Sequence, residues 1–247
     1  MKAVITGSGF ESAEWGEVAA EHSVTPVLGE PSSRILEIKS GQDSFFWLRR
    51  HGEQGELAPH RINYRANIQA LAELGVTQII SVNSVGGISA GFDAGVLAIP
   101  DQIIDLTWGR ESSFYDGDYL PLKHIDFTNP YNQQLSEALK QSSGELGLSF
   151  ASPATFACTQ GPRLETAAEI KALASLGADI VGMTAMPEAA LARELDITYA
   201  AICPVINAAA GLTEGLLDEA EMRAQAAVMI DSVQKLIQKS LLNLAAQ

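Results

Sequence analysis

Several short stretches of this chain place polar side chains where glycine or proline turns the backbone, and each offers a piece of recognition chemistry. Gly7-Ser8-Gly9-Phe10 and Asn83-Ser84-Val85-Gly86-Gly87 both follow apolar runs. Turns of that kind can aim backbone N–H groups and a hydroxyl at an anion. Arg49-Arg50-His51-Gly52 adds a guanidinium and an imidazole, and Gly182-Met183-Thr184 adds another hydroxyl. In Cys158-Thr159-Gln160-Gly161-Pro162-Arg163-Leu164-Glu165 a Gly-Pro turn delivers a carboxylate to a helix entrance. Pro162 fixes its own φ and disfavours the α region for Gly161, so the chain is expected to arrive extended and then bend. Taken singly, each stretch has a plainer use: Ser8 and Ser84 closing turns, Arg50 pairing with a surface acid, Glu165 solvated beside a capped helix. A dinucleotide fingerprint is disfavoured, because Ser12 stands where the third glycine would be needed.

The elements that must carry these groups alternate. Lys2 to Thr6, Gln78 to Val82, Leu97 to Leu106 (interrupted at Pro100), Ser149 to Cys158, Asp179 to Val181 and Ile197 to Ile206 read as strands. Arg34 to Ile38 and Ser44 to Leu48 flank Gly41-Gln42 as a hairpin. Helices are expected from Pro59 to Leu74 with Gly75 as the stop, from Asn129 to Leu146, from Glu165 to Leu176, up to Leu195, and from Asp218 to Leu242. The last presents Ala226, Met229, Ile230, Val233, Ile237 and Leu241 at helical spacing. Trp108 to His124 is a long polar-aromatic loop, a length that usually marks function or an interface. No repeat or linker divides the chain, so the expectation is one mixed α/β domain over 1–247. In such a sheet two glycine turns at strand ends can face one crevice.

Bulk properties narrow the function. The chain has 247 residues and a net charge of −14, which argues against nucleic acid and anionic membranes as partners. Any anion site must therefore be local, built from Arg, hydroxyls and backbone N–H groups. Cys158 and Cys203 lie in separate apolar runs, which suggests buried free thiols rather than a disulfide framework or zinc site. No apolar run reaches the roughly 18–20 residues of a membrane span, and Met1-Lys2 leads straight into a strand, so a cytoplasmic location is the default expectation.

Gly7-Ser8-Gly9, Arg50-His51-Gly52, Pro59 to Ile68, Asn83 to Gly87, Ser113-Phe114-Tyr115-Asp116-Gly117, Gly161 to Glu169 and Gly182 to Glu188 occur in register. In this the chain resembles the trimeric purine nucleoside phosphorylase and methylthioadenosine phosphorylase family, over nearly its whole length. The resemblance implies a single α/β domain with a mixed, partly barrel-like sheet flanked by helices. It also implies cleavage of a purine N-glycosidic bond by inorganic phosphate, with no metal or cofactor. Ser8, Arg50, His51, Ser84 and Thr184 then look like the phosphate shell, Ser84 chiefly through its amide. Met183 resembles the residue beneath the ribose and Leu164 a neighbour at the rim, while Glu165 and Asn207 resemble the pair that reads the base.

Those two residues bear on which purine is taken. A 6-oxopurine presents an N1–H that a carboxylate accepts, whereas the adenine N1 lone pair would meet the carboxylate's own. Asn207 can donate to O6 and hold a proton at N7. Family members acting on 6-aminopurines carry Ser in place of Glu165, Asp in place of Asn207 and Asp where Ala209 stands. Phosphorylases of ordinary inosine or guanosine usually have a histidine in the segment equivalent to 211–224. The histidines here are His22, His51, His60 and His124, and that segment instead offers Leu212, Leu216, Leu217, Ala220 and Met222. His124 matches a family position that reaches the 5′ group from a neighbouring subunit, which implies a homotrimer. The expected substrate is a 5′-methylthio nucleoside of a 6-oxopurine, S-methyl-5′-thioinosine. Inosine or guanosine follows, then methylthioadenosine; a hydrolytic nucleosidase and a non-catalytic nucleotide-binding module are the other readings.

Overall fold

Adjacent residues of the central strands sort to opposite sides of one sheet. Ala3 and Ile5, Ile79, and Tyr199, Ala201 and Cys203 pack with Ile68 and Leu71 of one helix and Leu191 of another. Val4, Ile80 and Val82, and Ala200 and Ile202 pack with Leu135 and Leu139, and with Met229, Val233 and Ile237, on the other side. That is the period-2 alternation of a strand, here buried on both faces, so the sequence reads as near-continuous apolar runs. A computed structural model describes residues 1–10, 13–41 and 43–245. Ser12 and Gln42, which entered the reading of the first turn and of the hairpin tip, lie outside the described residues.

The strands are β1 (Lys2–Thr6), β2 (Val18–His22), β3 (Ile35–Ser40), β4 (Asp43–Arg49), β5 (Gln78–Val82), β6 (Val85–Gly87), β7 (Leu97–Ala98), β8 (Gln102–Asp105), β9 (Phe150–Ala151), β10 (Thr155–Cys158), β11 (Ile180–Gly182) and β12 (Thr198–Ala208). The helices are α1 (Tyr64–Glu73), α2 (Gln133–Glu145), α3 (Ala167–Ser175), α4 (Glu188–Glu194) and α5 (Glu219–Ala245). They form a single α/β domain with one mixed sheet ordered β2-β3-β4-β1-β5-β12-β6-β11-β10-β8, with β7 joined to β12 and β9 to β7. No helix among the described residues is long and apolar enough to cross a membrane.

Several boundaries differ from expectation for local reasons. Pro100 and Pro153 each end a strand, splitting the two long runs into β7 with β8 and β9 with β10. Pro59–Arg61 forms a separate 3-10 turn and α1 begins after its Asn63 cap, while α2 begins after the Asn132 cap. Glu165 lies outside α3, whose start is set at Thr166 by a capping box with Glu169. β2 is unanticipated: it is a largely exposed edge strand of Val-Ala-Ala-Glu-His, with no alternation to announce it.

Register sets what comes next. β1 is parallel to β4 and β5, with Thr6 level with Arg49 and with Val82. β5 is parallel to β12, with Val82 level with Ile202. Gly7, Arg50 and Asn83 therefore leave the sheet side by side at the carboxyl ends of parallel strands, where open α/β sheets place their ligands.

Candidate active site

The cavity at these carboxyl ends is lined at its inner end by Gly7, Ser8, Gly9, His51, Ser84 and Thr184. The Ser84 hydroxyl donates to the Ser8 carbonyl at 2.9 Å, so it closes the first glycine turn. His51 Nδ1 lies 2.7 Å from the Leu57 carbonyl, which can only accept; the proton is therefore on Nδ1. Thr184 Oγ1 accepts from Asn83 Nδ2 at 2.9 Å, leaving the threonine's own proton to be donated.

Beneath that surface is a buried polar chain. Arg50 is fully buried, and its Nε and Nη2 form a fork on Glu188, at 2.7 Å to Oε2 and 2.8 Å to Oε1. Nη1 donates to the Val82 carbonyl at 3.0 Å and Nη2 also to Ser81 Oγ. The Tyr199 hydroxyl donates to Glu188 at 2.8 Å. Ser81 Oγ stands 2.8 Å from Glu188 Oε1 and 2.9 Å from Asn83 Oδ1, so its single proton serves one or the other. Burial works against the guanidinium's charge, but the Glu188 carboxylate outweighs it and the pKa moves up. The sequence reading had Arg50 touching phosphate. Here it does not line the cavity: Nη1 lies directly behind Gly7, where a Cβ would come within 2.8 Å of it.

The base-reading residues are positioned by two local devices. Gly161 takes φ +63° rather than the extended conformation expected before Pro162, and a Cβ there would meet Met183 Sδ at 2.6 Å. The glycine thus lets the turn lie against the methionine. Beyond it Glu165 and Leu164 line the cavity, and Glu165 Oε1 accepts from Thr159 Oγ1 at 2.6 Å. On β12 the pairing with β6 shifts register between Val205 and Asn207. This bulge brings both Ile206 and Asn207 to the cavity wall. Asn207 was expected at the strand's end; the strand runs one residue further. Its Nδ2 donates to the Ala208 carbonyl at 2.7 Å, leaving one N–H and the amide oxygen for a ligand.

The outer end is formed by Leu217, Glu219, Met222 and Arg223, while Ala226 of α5 is buried against Gly9. Of the apolar residues expected there, Leu217 and Met222 are present, and Leu212 is half-exposed and does not line the cavity. Leu216 is 98% exposed and Ala220 is also exposed, and neither lines the cavity. His124 is exposed on the long loop and is not part of this cavity either. Sequence reasoning missed Glu219 and Arg223, which pair at 2.9 Å across one helical turn. Their i,i+4 spacing was visible but reads equally as a solvated face. It also missed Thr159 and Pro59.

Comparison with known proteins places this geometry in context. A family profile described as "Phosphorylase superfamily" matches residues 2–242. A protein of Thermococcus kodakarensis described as a probable 6-oxopurine nucleoside phosphorylase is 42% identical over 244 residues, covering 97% of this chain and 91% of its own. A probable S-methyl-5′-thioinosine phosphorylase of Xylella fastidiosa is 41% identical over 239 residues, 96% of each chain. Among solved structures, a methylthioadenosine phosphorylase from Schistosoma mansoni in complex with adenine superposes with a TM-score of 0.96 at 27% identity, covering all of this chain and 92% of that one.

Proposed function

The chain belongs to the phosphorylase superfamily and is a purine nucleoside phosphorylase, and on that premise we propose that it converts S-methyl-5′-thioinosine and phosphate to hypoxanthine and 5-methylthioribose 1-phosphate. The observation that carries the 6-oxopurine part is Glu165, fixed by Thr159 on the wall that Asn207 shares. A carboxylate locked in place accepts from N1–H and repels an N1 lone pair.

In the proposed reaction phosphate occupies the inner end, between the first glycine turn, His51 and the Thr184 hydroxyl. One of its oxygens bonds to the anomeric carbon as the C1′–N9 bond breaks and the bonding pair leaves with the purine. N7 takes up a proton from solvent, the Asn207 amide oxygen accepts a hydrogen bond from that N7–H so the base departs neutral, and Met183 supports the sugar as positive charge develops on it. Phosphate is the co-substrate, and no metal or organic cofactor takes part. The methylthio group sits against Leu217 and Met222.

Glu219 and Arg223 at the outer end favour a second reading, a 5′-hydroxyl nucleoside such as inosine, because they bring polar groups beside those apolar ones. Parallel kcat/KM values for methylthioinosine, methylthioadenosine and inosine, with and without phosphate, decide between them. Preference for methylthioadenosine would sink the base assignment; preference for inosine would sink the 5′ assignment; cleavage without phosphate would make it a hydrolase. The proposal includes a homotrimer in which His124 reaches the 5′ end of a neighbouring site. The exposure of Trp108 (73%) and Leu122 (69%) on the same loop supports it. A monomer by light scattering at working concentration would remove that part.

A further inference from the structure

The long segment between β8 and α2 sends one cationic side chain into the protein just behind the cavity. Arg110 Nη2 donates to the main-chain carbonyls of Gln160 at 2.8 Å and Thr159 at 3.3 Å. Nη1 donates to the carbonyls of Met183, at 2.9 Å, and Met186, and approaches the Tyr64 hydroxyl at 3.2 Å. Nε faces Gln160 Oε1 at 3.3 Å, and that same oxygen accepts from the Trp108 amide at 3.0 Å. The guanidinium lies 5.5 Å from the centre of the Tyr64 ring.

The carbonyls it gathers belong to two different loops. Thr159 and Gln160 begin the turn that ends in Leu164 and Glu165. Met183 and Met186 bracket the loop that carries Thr184. One planar fork thus spans the loop that faces the base and the loop that faces sugar and phosphate, and each edge of the fork serves one loop. Lysine has three donors radiating from a single point and cannot satisfy carbonyls spread along both edges.

We propose that Arg110 is a positioning residue for phosphorolysis, setting the separation of the 159–165 and 183–186 loops so that base, sugar and phosphate are held in line. It touches no substrate; it acts through Glu165, Met183 and Thr184. The proposal rests on phosphorolysis as the activity but not on which nucleoside is preferred, and wild-type turnover measured alongside reports the activity separately.

The test compares Arg110→Lys and Arg110→Ala with the wild type for kcat, for KM of both nucleoside and phosphate, and for thermal melting. Arg110→Lys is expected to lose about a hundredfold in kcat/KM, the order of effect of an ångström-scale misplacement, with both KM values raised and the melting transition still cooperative. Guanidinium at millimolar concentration is expected to restore Arg110→Ala at least about tenfold, a rescue that a purely structural loss would not show. Arg110→Lys within about threefold of wild type, or a folded Arg110→Ala that guanidinium leaves unchanged, overturns the proposal. If neither variant folds, Gln160→Ala decides: it removes the side-chain acceptor shared with Trp108, and a loss of about tenfold supports the proposal while an unchanged kcat/KM overturns it.

Discussion

The two ends of the cavity are built on opposite plans. Behind the inner end Arg50, Ser81 and Glu188 are fully buried and hydrogen-bonded to one another. Where the cavity meets the start of α5, the side chains of Glu219 and Arg223 are 73% and 72% exposed. The reaction needs the same phosphate, held the same way, whatever nucleoside arrives, so that end can be fixed by the sheet itself. In the proposed reading, discrimination at the 5′ position falls to a segment, residues 211–224, that is mostly exposed. On that reading, the buried polar chain and the phosphate share one end, and choice of the 5′ group is left adjustable at the other.

The largest break in this contrast comes from Glu188→Ala. It strands a buried guanidinium and removes the acceptor for Tyr199, so urea unfolding should show a loss of about 3–5 kcal/mol, comparable with much of a domain's stability. An unchanged midpoint would mean that the buried chain is ornamental.

Next come Glu165→Gln and Asn207→Asp, in which the base wall changes character without changing volume. Turnover of 6-oxopurine nucleosides should fall by about 10²–10³, with melting unchanged, since a built polar site is left mispaired. Unaffected 6-oxopurine turnover in either variant would remove that residue's assigned role.

Thr159→Val releases one hydrogen bond to the carboxylate and should cost about tenfold in kcat/KM, seen mainly with 6-oxopurines. Smallest of all is Arg223→Ala: the pair it breaks is exposed, so the melting temperature should not move. Only the ratio of methylthioinosine to inosine kcat/KM should shift, by about twofold to fivefold. A shift in melting there, or none in the ratio, would show that the two ends are not separate in the way the contrast requires.

Legibility in the sequence follows a similar division. β1, β5 and β12 were readable because strands buried on both faces must be apolar throughout, and the turn after β1 because Gly9 takes φ +88°; Asn83 to Gly87, read as a second glycine turn, instead enters β6 at Val85. β2 was not, since an edge strand exposed to solvent carries no pattern. Leu216 and Leu217 were both placed in the cavity and Leu217 alone of the two is found there, because the phase of the 211–218 segment is not set by any periodic element until α5 begins. Arg110 and Thr159 escaped for another reason. Arg110's partners are mostly main-chain carbonyls and Thr159's is a carboxylate six residues away, and neither imposes a recognisable spacing on the sequence. Cys158 illustrates the converse: its apolar run announced a buried thiol, and burial does push its pKa up to about 12.

The register shift in β12 separates two sets of demands placed on one strand. Upstream of Ile206 each residue answers to the alternation that fills the core on both faces. Downstream, Asn207 faces the cavity, and Ala209 faces it while also packing with Ala157, Ile170, Leu173, Ala178 and Val181. One residue of slack between them means that, under the proposed base-reading role of Asn207, an exchange at position 207 can retune which purine is read while the alternating packing of residues 199–205 stays in phase.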